Sequence, residues 1–166
     1  MAFDPNISRW LLASCRAWFD SHRLNNATLF YEYTRHKQLE NPTTGLVIQQ
    51  YGEFRLNGPD HRKVTHNEEW YDIVINVLCT QDLNEGQSDE IDEFIGNIYV
   101  CFTECIPVYR YGDSSNLLND NTYIGFLKRT DEKNGQVNLS RFGQANPDSL
   151  LTQVSIEASY RMKLQL

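Results

Sequence analysis

The sequence predicts an α+β fold, a mainly antiparallel (mixed) β-sheet with two amphipathic helices packed on one of its faces. Three stretches carry that prediction. From Val154 to Leu166 every even position is apolar (Val154, Ile156, Ala158, Tyr160, Met162, Leu164, Leu166) and every odd position between them is polar. Successive strand side chains point to opposite faces, so this is a long strand, roughly 43 Å, with one dry face and one wet face. A helix would scatter the same apolar residues around its whole circumference. The second stretch is Trp70 to Thr80. Tyr71, Ile73, Ile75, Val77 and Cys79 form an apolar face and Trp70, Asp72, Val74, Asn76 and Leu78 a mixed one, the pattern of a central strand. In the third, Ile91, Phe94, Ile95, Ile98, Phe102 and Cys105 recur at three- and four-residue steps. They predict a helix ending before Pro107, with Ser88 as its N-cap and Asp89, Glu90 and Asp92 where the helix dipole favours acids.

The remaining elements follow in chain order. Pro5 suits a first helical turn, and Ile7, Trp10, Leu11, Ser14 and Trp18 keep helical spacing, so Asn6 to His22 reads as a helix. Its tryptophans either pack on the sheet or anchor another subunit. Asn25-Asn26 breaks that helix, and Ala27 to Arg35 reads as a strand. Asn41 to Gly45 is turn chemistry. Gly45 to Tyr51 and Glu53 to Leu56 read as extended pieces with Gly52 as a bulge or bend. Asn57-Gly58-Pro59-Asp60 predicts another turn, opening a polar loop that runs through His66 and Asn67. Val108 to Asn121 reads as a long loop. Tyr123 to Arg129 and Gln136 to Phe142 then flank Asn134-Gly135, a hairpin signal. The loop and hairpin, about 107–143, form an insertion within one domain spanning 1–166.

Size and composition narrow the function. A chain of 166 residues with 40% hydrophobic residues has enough apolar material for one core. A net charge of −7 argues against phosphate neutralisation as the main business of the surface. The start has no basic stretch leading into an apolar run, and no apolar run is long enough to span a membrane, so we expect a chain folded in a cytoplasm. In that setting Cys15, Cys79, Cys101 and Cys105 are expected as reduced thiols.

Motifs for chemistry do not emerge. No phosphate-binding Gly-rich loop or nucleophile elbow occurs. His61 and His66, with Asp60 or Glu68, offer metal-ligating types in one loop, against the plainer reading of solvated loop histidines. Cys101 and Cys105 fall one helical turn apart, with Cys105 on the apolar face and Cys101 at its edge, and read as small core residues. Asp89, Glu90, Asp92 and Glu93 could pair carboxylates, but a solvated first turn is the ordinary case. We therefore expect no enzyme, no cofactor and no metal site. Nine tyrosines and eight phenylalanines, some in the Tyr109-Arg110-Tyr111 loop, belong to types that dominate binding hot spots.

The order of these elements resembles the tail-terminator proteins of long-tailed bacteriophages, and more loosely the tail-completion and head–tail joining proteins of the neck. The matching pieces are Trp70 to Gln81, Ser88 to Ile106 and Leu150 to Leu166, with Ile7 to Trp18 in support. The resemblance implies a non-catalytic virion protein that forms a ring, a hexamer, in a tail or neck assembled in the host cytoplasm. The ring would cap the tail tube, stop its growth, join the tail tube protein to the head connector, and leave a lumen through which DNA passes unbound. Tyr109 and Tyr111 are expected at subunit interfaces. So are Met162, Leu164 and Leu166, on a terminal strand expected to outrun its neighbours. The alternatives are a neck completion protein and a small α+β ligand- or partner-binding module from outside any virus.

Overall fold

The computed structural model describes residues 5–31, 50–82, 90–110, 122–130, 137–142 and 151–165. Among these residues two helices, α1 (Pro5–His22) and α2 (Glu90–Tyr99), accompany seven strands. These are β1 (Leu29–Tyr31), β2 (Gln50–Thr65), β3 (Glu68–Asp82), β4 (Cys105–Arg110), β5 (Thr122–Arg129), β6 (Asn138–Phe142) and β7 (Leu151–Gln165). They form one sheet in the order β1-β2-β3-β7-β5-β4, with β6 also on β7. β1 runs parallel to β2, and the other pairings are antiparallel. The α+β architecture expected from the sequence is the one observed.

β7 is the spine. Along one edge it pairs with β3 over its whole length, from Asp82↔Leu151 to Glu68↔Gln165. Its other edge is shared, with β6 opposite Gln153 to Glu157 and β5 opposite Tyr160 to Met162. The alternation in the sequence is the burial pattern in the fold. Val154, Ile156, Ala158, Tyr160 and Met162 are buried, as are Tyr71, Ile73, Ile75, Val77 and Cys79 across the ladder.

Both helices cover this inner face. Leu11, Cys15 and Phe19 of α1 are fully buried, and Phe19 meets Phe54 of β2 and Phe102 edge-on at 5.0 and 5.1 Å. The two tryptophans sit at the margin of that core: Trp18 donates to the Cys101 carbonyl at 3.1 Å, and Arg110 lies over the Trp10 ring. α1 touches both β2 and β4. Those strands are four steps apart, roughly 19 Å in a flat sheet, wider than the ~10–12 Å diameter of one helix. The sheet is therefore curled around α1. Ser14, itself buried, accepts the backbone N–H of Tyr109 at 3.0 Å, so the helix satisfies part of the β4 edge.

Several expectations change. Gly52 is no bulge: it sits in register opposite Cys79, and a side chain there would meet Leu29 at 2.8 Å, Val77 at 3.0 Å and Ile98 at 3.2 Å. Close packing between strand and helix excludes a Cβ. Asn57 to Asp60 is not a turn and 58–67 is not a loop. β2 continues to Thr65 through a bulge between Asn57 and Asp60, where Gly58 adopts φ 105°, and the turn is His66-Asn67. That extension lets β2 and β3 accompany β7 to residue 165, so β7 does not outrun its neighbours.

α2 ends at Tyr99, not before Pro107, and Cys105 to Arg110 is strand β4 where a helix end and a loop were expected. Cys101 is buried and Cys105 is exposed, the reverse of the expected order, because they lie on different elements. The hairpin around Asn134-Gly135 is also replaced. β5 and β6 both run antiparallel to β7 and follow one another along its edge, linked by the bond from Thr130 N to Ser159 O at 3.0 Å. They are one interrupted line rather than two partners. Thr34, Arg35, the Asn41–Gly45 turn, Ser88, Asp89 and Asn134-Gly135 lie outside the described residues.

Candidate functional site

The outer face of the curled sheet carries the charge. Because Asp72 pairs with Arg161, and Arg161 with Lys128, three strands bring these side chains into one row. Arg161 grips Asp72 through Nε at 2.6 Å and Nη2 at 3.3 Å, a two-pronged contact. In the next row Trp70 pairs with Arg62 on one side and Lys163 on the other. Arg161, Arg62 and Lys163 all approach the Trp70 ring, at 4.2, 4.7 and 4.9 Å from its centroid. A ring face is electron-rich, and each such contact contributes about 0.5–1 kcal/mol at an exposed site.

Beside this cluster a groove of about 760 Å³ runs between β5 and the end of β7, lined by Tyr123, Phe126, Lys128, Arg129, Arg161 and Lys163. Tyr123 and Phe126 are 55% and 48% exposed, high for aromatic side chains, and mark the groove as apolar surface left in water. Arg161 is held by Asp72, and Arg129 by the carbonyl of Phe102 at 3.3 Å. Among the described residues, no carboxylate forms an ion pair with Lys128 or Lys163. The groove therefore presents two aromatic rings and two ammonium groups with no ion-pair partner among the described residues, on a chain whose net charge is −7.

A second exposed surface lies on the helical side. Asp92, Glu93, Gly96 and Tyr99 follow helical spacing along α2, Val100 comes directly after it, and all are exposed. Asp92 holds Arg141 of β6 at 2.6 Å. A Cβ on Gly96 would meet nothing within 4 Å. At the C-terminal end, Tyr99, Val100 and Leu24 are 41%, 43% and 49% exposed, with Leu24 joined to α2 by its N–H on the Asn97 carbonyl. The stripe is acidic at one end and apolar at the other.

The residues singled out from the sequence divide. Tyr109 is half-buried beside Tyr123 at the groove's margin, with ring centroids 6.0 Å apart. Leu164 is half-buried next to Gly125. Met162 is wholly buried in the chain's own core, which takes it off the surface as an interface residue. Tyr111 and Leu166 lie outside the described residues. His61 is not a solvated loop residue: it sits on β2, 21% exposed, its ring tilted against that of Tyr71 with Nε2 3.4 Å from the buried Glu69 carboxylate. Glu69 also accepts a hydrogen bond from the Tyr71 hydroxyl at 3.0 Å. Sequence reasoning missed Phe126 and Lys128, whose importance depends on the pairing of residue 128 with residue 161. The one available signal was the basic wet side of β7 at Arg161 and Lys163.

No family model matches the chain, and no curated protein matches it. Solved structures do. One of them, which bears no functional name, aligns over 97% of this chain and 96% of its own at 12% identity with a TM-score of 0.50. At that identity the likeness speaks for the fold alone: the two chains share one architecture from end to end.

Proposed function

We propose that this protein is a ring-forming assembly protein of a phage tail, a tail terminator that caps the tube and meets the head connector. The observation that carries the reading is the pair of exposed, partly apolar surfaces on opposite faces of one sheet, the β5–β7 groove outside and the α2 stripe on the helical side. Head-to-tail association needs two different patches on each subunit, whereas a simple two-fold dimer needs one. Two such patches in so small a domain fit a cyclic homo-oligomer, a hexamer in this reading. The acidic balance fits a lumen through which DNA passes without being held.

Light scattering on the purified chain, with negative-stain imaging alone and with tail tube protein, tests the proposal. Rings of six are expected. A protein that stays monomeric under both conditions overturns it. A neck completion protein of the same build would form rings that bind the connector and ignore the tube. The size of the groove, within the range of small-molecule sites, favours one further reading, a ligand-binding module. That reading requires a one-to-one complex and no assembly.

A further inference from the structure

We propose that the open face of α2 in one copy docks into the β5–β7 groove of the next copy, acidic end against lysines and apolar end against aromatic rings. The inference rests on the ring reading and adds which surfaces mate. Glu93 opens the α2 stripe, and among the described residues no cation forms an ion pair with it. Lys128 and Lys163 are in the same condition in the groove. Charges that form no ion pair among the described residues, Glu93 on one surface and Lys128 and Lys163 on the other (Lys163 also resting over the Trp70 ring), are complementary between copies. Tyr99 and Val100, further along the stripe, match the exposed Tyr123 and Phe126.

Gly96 supplies an independent observation. Glycine inside a helix is unfavourable relative to alanine because the unfolded chain loses more freedom there. Among the described residues nothing requires it, since a Cβ would point into open space. Centred on the exposed stripe, its absence of a side chain allows another surface to approach the helix backbone closely, and the shallow groove walls of Phe126 and Tyr123 are of the right kind. α2 covers the inner face of the sheet and the basic row lies on the outer one, so the contact joins two different surfaces and propagates from copy to copy.

The test uses two full-length variants and their mixture, read by light scattering with circular dichroism to confirm folding. Gly96→Trp blocks the helix face, and Lys128→Glu with Lys163→Glu reverses the groove. Each variant alone is expected to be folded and monomeric, its self-association weakened at least about tenfold. Mixed, they are expected to form a one-to-one dimer that grows no further, because each retains the half the other lacks. If Gly96→Trp fails to fold, Glu93→Lys, exposed on the same stripe, takes its place with the same readout.

Intact rings in both variants would overturn this docking while leaving the ring reading standing. Variants that are each monomeric but do not combine would overturn the pairing of these two surfaces. Intact rings that no longer bind tail tube when the groove is reversed would make the tube, not a second copy, its occupant, and would also overturn it. A wild-type chain that never assembles, alone or with tube, would sink both readings.

Discussion

At one end of the β3–β7 ladder Cys79 lies opposite Val154 and Val77 opposite Ile156, beneath the two helices; at the other Trp70 lies opposite Lys163 and Asp72 opposite Arg161, in a row of charge. The strands, the pairing and the alternation are the same throughout. What differs is what the outer face carries. The inner residues are buried along both parts, Tyr71 and Met162 included, and generate stability. Towards residues 68–72 and 161–165 the outer residues collect cations around one tryptophan. A strand much longer than the ~5–6 residues usual for a sheet serves a core with one part and a surface with the other.

Thiol labelling should give the largest contrast. Thiolate is the reactive form, and burial pushes Cys79 and Cys101 up to about 12 and Cys15 further still. Near neutral pH only the exposed Cys105, opposite Lys128 at the charged end, should react promptly, with the other three slower by on the order of 100-fold or more. Four fast thiols in the native state would mean that the covered end is not closed. The same burial fixes the sign of an alkaline effect. The fold favours neutral thiols, so their contribution is present below the ordinary 9.0, and falls away as pH rises from there through about 12.

Mutations should grade in the same order. Ile156→Ala, at the centre of the covered end, should cost about 2–5 kcal/mol in denaturant unfolding. Gly52→Val should cost about 1–3 kcal/mol, because its side chain must displace Leu29, Val77 or Ile98. At the charged end, Asp72→Ala should cost about 1–2 kcal/mol: it removes the carboxylate partner of Arg161, whose side chain is only 14% exposed but retains the Trp70 ring. Arg62→Ala, over half exposed, should stay within about 0.5 kcal/mol. If Asp72→Ala proved as costly as Ile156→Ala, the division between the two ends would be wrong.

Much of the covered end was legible. Period 2 in β3 and β7 and period 3.6 in α2 identified the buried apolar residues there, because burial on one face is what such periods record. In α1, by contrast, the reading found Ile7, Leu11 and Ser14 but not Ala13, Cys15 and Phe19. The charged end was not legible, for a physical reason. Asn57-Gly58-Pro59-Asp60 has the composition of a turn, yet a bulge absorbs it and the ladder continues. With no side buried, residues 60–67 left no apolar alternation to read. Cys105 to Arg110 was misread because Phe102 and Cys105 happen to continue the helical spacing past the true end of α2. The groove depends on Lys128 meeting Arg161, a register between strands that neither segment encodes by itself.

The central position of β7 also has a kinetic consequence. Its partners β3, β5 and β6 all precede it in the chain, and pairs such as Asp82 and Leu151 close long loops. Until β7 arrives, β3 presents an unpaired edge with Ile73, Ile75 and Val77 beside it, and β5 and β6 have no common strand to align them. Such non-local closure is slow, and open edges invite pairing with other nascent chains. Productive folding should therefore be sensitive to synthesis rate and chaperone supply.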